Sequence, residues 1–351
     1  MALSTDFDVD PYYDDYSEDK GFYRILFRPG YAVQAREVTQ LQTILQKQIE
    51  RYGKHIFEDG SIVLGCDLNY DNQVKSVKLE TQFAGADLTI NSFSDTIITG
   101  GTSTARAKVV GTAASTATDQ PTLMVQFLDD TEFSDGETLT VTGTTTQANT
   151  VSATGASGVA DAVGNGAIVS CESGVFYTGG YFIFKSAETL ILEKYSNTPS
   201  YRIGFETAES IVTPEADNTL LDPAQGAYNY AAQGATRYKI ALNLSAKTFT
   251  ADDEVEAAAD ANFYQLMKVD LGKQVDSVKY PTYSELEHTL ARRTHDESGD
   301  YTVAPFNLEM ADHQGITGRV SNTDVSAAAV NLKGIGTDFL NEVKVGDVIR
   351  L

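Results

Sequence analysis

Tryptophan is absent from this 351-residue chain, cysteine occurs twice and histidine four times. Each shortage excludes something. Two cysteines do not make a disulfide framework. Cys66 and Cys171 lie in strand-like text ("SIVLGCDLNY", "AIVSCESGVF") and read as buried small hydrophobes. His55, His288, His295 and His313 form no metal-ligand spacing with a Cys or carboxylate on one helix face. No CxxC, HExxH, GxSxG or P-loop pattern occurs. Positive charge is short as well. Lys and Arg number 26 against 49 Asp and Glu, leaving a net −23. That balance argues against sequence-independent binding of nucleic acid, which needs cations to displace counterions from phosphate. No run approaches the roughly 20 apolar residues of a membrane span, and no basic-then-apolar leader opens the chain.

What is present is globular in composition, with 42% hydrophobic and 21% charged residues. Tyr (18) and Phe (16) carry all the aromatic mass, in side chains suited to strands. The sequence reads as mainly β and multi-domain, with small sandwich or barrel modules in series. Residues 1–20 read as an acidic, aromatic docking arm. Asp6, Asp8 and Asp10 begin like a calcium loop, but Pro11 stands where Gly is needed and Ser17 where Glu is needed. "FYRILF" reads as a short strand and "RPG" as a turn.

From about 32 to 52 the chain has no Gly or Pro. Val38, Leu41, Leu45 and Tyr52 recur at three-, four- and seven-residue steps, a helical period. Gly53 is expected to end this helix. Ile44 and Ile49 widen the stripe, so the helix is expected to lay its apolar side on its own sheet. Its Gln residues, Gln34 and Gln42 among them, then form a candidate docking face.

Residues 21–83 plus 165–310 read as one discontinuous α+β core domain. Residues 84–164, rich in Thr, Ser, Gly and Ala, read as an inserted small β domain. Its segments "LTINSF", "DTIITG", "ARAKVVG", "TLMVQFL" and "ETLTVTG" recur at roughly 8–12 residues, a sandwich or barrel spacing. Gly179–Gly180 mark a hairpin between two aromatic strands. The loop-rich text after about 212 is long for a structureless connection and is expected to bind a neighbour. A short helix is expected at about 283–293, capped by Thr282 or Ser284. Residues 311–351 read as the start of a further β module that Leu351 leaves incomplete.

"FYRILFRPGYAVQAREVTQLQTILQKQIERYG", "GVFYTGGYFIF…YSNTPSYRIGF" and "YSELEHTLARRTHDESGDYTVAPF" together resemble a conserved domain of unknown function in virion structural proteins of tailed phages, above all cyanobacterial and other marine myophages. The likeness covers roughly 10–75 and 165–310, in long phrases and in the same order. It implies a non-enzymatic virion protein of the tail or baseplate, made in the host cytoplasm. It also implies a homotrimer that joins a tail fibre or similar appendage to the baseplate and has other tail proteins as partners. No catalytic residue, metal or cofactor is expected. The interface candidates are Tyr12, Tyr13 and Tyr16 in the arm and Gln34 and Gln42 on the helix. Loop candidates are Asn197, Tyr201, Leu220, Tyr228 and Tyr230, with Arg292 and Arg293 on the short helix. Two other readings stand beside this one. A carbohydrate-binding or carbohydrate-cleaving receptor protein would need exposed tyrosine rows on one face of 84–164. A bacterial surface adhesin with stacked β modules would need a secretion signal.

Overall fold

The computed structural model describes residues 5–117, 119–141, 148–150, 162–248, 260, 262–299, 319–320 and 334–335. Strand outweighs helix, 40% to 18%, so the class is mainly β, with several small sheets in series and, among the described residues, two α-helices. The helices are α1 (Ala35–Ile56) and α2 (Glu285–Ser298). The strands up to the second sheet are β1 (Ser61–Gly65), β2 (Leu68–Asp71), β3 (Lys75–Lys78), β4 (Gln82–Phe83), β5 (Ala86–Asp87), β6 (Ile97–Gly100), β7 (Arg106–Ala113), β8 (Thr122–Phe127), β9 (Thr138–Val141), β10 (Ala148–Thr150) and β11 (Val163–Asn165). Then come β12 (Ala167–Cys171), β13 (Gly174–Thr178), β14 (Tyr181–Lys185), β15 (Glu188–Glu193), β16 (Tyr201–Val212), β17 (Arg237–Lys247), β18 (Phe263–Asp270) and β19 (Lys273–Ser277).

The strands sort onto two cores. Three antiparallel sheets, β1-β13-β14, β15-β12-β2 and β17-β16-β18-β19, surround the first. Its centre is aromatic and aliphatic: Phe176 meets Phe205 edge-on at 5.1 Å, packed with Ile203, Leu244, Met267 and Val269. Cys66 and Cys171 lie in this core as unbridged buried thiols. The second core lies under a seven-stranded sheet in the order β10-β9-β6-β7-β8-β3-β11. Val77, Phe93, Ile98, Val109, Leu123, Val125 and Leu139 fill it. That sheet draws in β3, from before the Thr/Ser/Gly-rich stretch. A small cluster of Val74, Met124 and Ile168, flanked by Val110 and Ile191, joins the two cores. The Gly179–Gly180 hairpin forms as expected. Both glycines have positive φ (56° and 86°), which the tight turn between β13 and β14 requires.

Several local expectations are corrected. "FYRILF" forms no strand, because no sheet edge among the described residues pairs with it. "LTINSF" is no strand either. Ile90–Phe93 forms a 3-10 turn that drops both Ile90 and Phe93 into the second core. Gly53 does not end α1, which continues to Ile56. The stop comes where Phe57 turns extended and donates its N–H to the Gly53 carbonyl at 2.8 Å. α2 runs five residues beyond its expected end, from 293 to 298, and Gly299, at φ 63°, closes it on the His295 carbonyl. Ser284 occupies the N-cap position without capping; its hydroxyl donates to the Lys54 carbonyl instead. The loop after β16 carries a 3-10 turn at Asn218–Leu220 and a bridge between Leu221 and Gln233. Of the module expected at 311–351, the paired segments Arg319–Val320 and Gly334–Ile335 are described. The rest, with the expectation about Leu351, lies outside the described residues.

The largest correction concerns α1. Its apolar stripe does not close the β core.

Candidate docking surface

The polar side of α1 is the side that faces the protein. Thr43, Gln46, Lys47, Glu50 and Gly53 share one face, since side chains three, four and seven apart align along a helix. Gln46, Glu50 and Gly53 meet the body, Thr43 meets the arm, and Lys47 pairs with Glu50 along the helix at 2.8 Å. Gln46 Nε2 donates to the Gly180 carbonyl in the β13–β14 turn at 2.7 Å. Tyr177 Oη, from β13, donates to the Glu50 carbonyl at 3.1 Å. Burial raises the Tyr177 pKa, and the neighbouring Glu50 charge adds to this, so the phenol stays a neutral donor. Gly53 lets the helix lie against the Tyr177 ring: a Cβ there would sit 2.5 Å from Cε2. Phe57, Phe182 and Tyr283 extend this aromatic bed, with Phe57 stacked on Tyr283 at 5.8 Å.

The N-terminal arm binds the same side of the helix. Thr43 donates its hydroxyl to the buried Asp14 carboxylate, and Gln40 donates to Asp15 at 3.2 Å. Arg36 pairs with Asp15 at 3.5 Å and Arg51 with Glu18 at 2.8 Å. Further out, the arm reaches the β16–β17 ribbon. Tyr12 Oη and Thr236 Oγ1 are 2.9 Å apart, and Phe7 meets Tyr238 edge-on at 4.9 Å. The arm therefore docks on its own chain.

The opposite side of α1 faces outward. Val38, Leu41, Leu45, Ile49 and Tyr52 are all exposed, Leu45 at 58% and Tyr52 at 68%, whereas Ile44 is 4% exposed. The segment before the helix continues the pattern, exposing Phe22, Tyr23, Leu26, Phe27, Tyr31 and Val33. A helix that hydrogen-bonds its polar side inward and leaves its apolar side in water reverses the usual arrangement of a surface helix. An exposed apolar stripe of five residues along one helix face marks an interaction site.

The structure places the sequence candidates unevenly. Gln42 lies on the outward face of α1. Gln34 sits at its N-terminus, where its N–H donates to Glu37 Oε2 at 2.9 Å and its side-chain oxygen accepts from Arg36. Tyr12 and Tyr16 are half-buried, and Tyr13, exposed, donates to Asp10 at 3.0 Å. Asn197 is exposed, while Tyr201 packs at the rim of the first core and donates to Glu193 at 2.7 Å. Leu220 is half-buried; Tyr228 and Tyr230 project from the long loop. Arg292 and Arg293 are exposed on α2. These residues do not converge on one site. The apolar stripe of α1, read in sequence as core, is the set of residues that does share a face.

Among the described residues no group of three or more His, Cys, Asp or Glu side chains could hold a metal ion, and no helix is long and apolar enough to cross a membrane. Residues 84–164 contain no tyrosine, so a tyrosine row is missing from that stretch.

The fold and surface define a mainly-β protein that carries one helix with its apolar side turned outward. Residues 10–132 and 124–344 match the family described as a domain of unknown function, DUF4815, and the chain belongs to that family. No curated protein and no solved structure matches it.

Proposed function

We propose that this chain is a non-enzymatic structural component of a phage tail, linking a tail fibre or similar appendage to the baseplate through protein–protein interfaces. The observation that carries this reading is the outward apolar face of residues 22–52. It is built on a helix whose opposite side is already bonded within the chain, so it serves a contact between macromolecules. The three long phrases that resemble tailed-phage virion proteins supply the setting. Large obligate interfaces between such subunits commonly bury more than about 2,000 Å² and resemble a core cut in half, which suits a face of Leu, Ile, Phe and Tyr. In this reading the protein resides in the virion and has other tail proteins as partners.

The test is mass spectrometry and antibody labelling of purified phage particles that encode the chain. The expected result is its presence in intact virions and in isolated tails, with label at the baseplate end. Its absence from washed particles would overturn the reading.

A further inference from the structure

The outward stripe of α1 has a period finer than amphipathicity alone requires. Val38, Leu41, Leu45, Gln48, Tyr52 and His55 follow a 3-4-3-4-3 spacing, the a and d positions of a heptad. We propose that the partner of this face is the same face on a second copy of the chain, the α1 helices meeting side by side and parallel as the seam of a homo-oligomer.

Three observations select that occupant. The spacing itself is the one by which like helices supercoil, because an a/d repeat keeps one narrow seam in contact along the whole length. The face is also uncharged. Val38, Leu41, Gln42, Leu45, Gln48, Ile49 and Tyr52 bear no carboxylate, on a chain whose net charge is −23. Copies that repel elsewhere meet here without like charges opposed. Finally, the seam has apolar surface to bury: its exposed Val38, Leu41, Leu45, Ile49 and Tyr52, at roughly 100 Å² each, offer roughly 500 Å² per copy, a short seam of the kind two like helices share.

Gln48 sets the direction. In a parallel, in-register array it meets its own counterpart, and an amide both donates and accepts, so the pair satisfies itself. An antiparallel arrangement about the middle of the helix sets Gln48 against Leu45 and leaves a polar group unpaired in an apolar seam. With His55 closing the seam at its C-terminal end, Gln48 is the polar layer inside it, and an interior polar layer fixes register at some cost in stability.

This proposal stands independently of the tail reading, since it concerns the purified chain alone. The experiment is sedimentation equilibrium on the full-length protein. The expected mass is a multiple of 37.9 kDa. Leu45→Glu should raise the subunit dissociation constant roughly a hundredfold or more, because it introduces like charges into a desolvated layer. Leu45 is exposed in the single chain, so the variant should keep its far-UV circular dichroism. Leu45→Cys should form a disulfide between copies on mild oxidation, whereas the wild type, whose Cys66 and Cys171 are buried, should not. A wild-type chain that sediments at 37.9 kDa overturns the proposal, as does an oligomer that survives Leu45→Glu or fails to cross-link through Leu45→Cys.

Discussion

Gly53→Ala tests how α1 is seated. Glycine inside a helix costs about 1 kcal/mol relative to alanine, so propensity alone predicts that the variant gains that much. The local geometry opposes it. The added methyl would lie 2.5 Å from Tyr177 Cε2, 2.8 Å from Cζ and 2.9 Å from Oη, well inside contact distance. The ring has nowhere to retreat, since Tyr177 is fully buried, with Phe182 at 4.9 Å and Phe57 at 6.1 Å. Overpacking of this kind costs about 1–3 kcal/mol. Displacing the ring also breaks the Tyr177 hydrogen bond to the Glu50 carbonyl, worth about 1 kcal/mol. The net expectation is destabilisation by about 1–3 kcal/mol. Urea unfolding followed by circular dichroism measures it, and no tryptophan is present to give a simpler signal. A double-mutant cycle sharpens the test. In a Tyr177→Leu background the clash is relieved, and Gly53→Ala should then stabilise by up to ~1 kcal/mol. A stabilised single variant, or a cycle in which the sign does not reverse, would refute this account of the helix seat.

Other outcomes follow from the same geometry. Thr43→Val removes a donor to the buried Asp14 carboxylate, which should cost about 1–3 kcal/mol and speed limited proteolysis of the arm at residues 5–20. Glu137 is buried in the insert's turn region, and burial opposes its charge. The N–H groups of Ser103, Ser134 and Thr102 and the Ser103 hydroxyl outweigh that and hold its pKa below the ordinary 4.5. Because the folded pKa is depressed, its contribution is complete above pH 4.5 and fades as pH falls through the folded value. Glu137→Gln should therefore flatten the acid limb of the stability profile, read by circular dichroism from about pH 6 down to about pH 2, a window that begins above the ordinary carboxylate value and ends below it. In β16, Gly204→Ala would place a methyl 1.9 Å from the Tyr264 carbonyl oxygen. Backbone of a paired strand cannot move aside, so loss of soluble protein or a drop of several degrees in the thermal midpoint is expected.

The parts of the fold visible in the sequence are those specified locally. Gly179–Gly180 between aromatic strands carries its own turn geometry, and the alternation in "ARAKVVG" and "TLMVQFL" encodes β7 and β8 directly. "LTINSF" shows the limit: Ile90 and Phe93 are as compatible with a 3-10 turn as with a strand, and the position of the second core decides between them. The presence of α1 is visible in the sequence, but its ends, three to four residues off, and the face it buries are not. A 3.6-residue period reports that apolar residues share a side; it carries no information on what covers that side. The deciding groups lie elsewhere in the chain: the Gly180 carbonyl, the Tyr177 phenol and the Asp14 carboxylate supply polar partners for one face.

One residue did carry a hint within the helix itself. Gly53 is poor in a helix interior and sits at the border of the apolar stripe, beside Gln46 and Glu50 on one side and Ile49 on the other. A glycine inside a helix is best explained by close approach of a neighbour on its own side, and Tyr177 is that neighbour. The contact side of α1 is then fixed by the bonds that Gln46 and Glu50 make beside it. The apolar side is then left for a second surface, and its heptad spacing suits another helix better than a sheet. "FYRILF" adds Phe22, Tyr23, Leu26 and Phe27, all exposed in a segment outside any strand. Apolar side chains in water are costly, and α1 gathers five of them, Val38, Leu41, Leu45, Ile49 and Tyr52, on one face of a chain of net charge −23. That concentration is the physical reason to look for an interaction surface at the N-terminal helix rather than in the β cores.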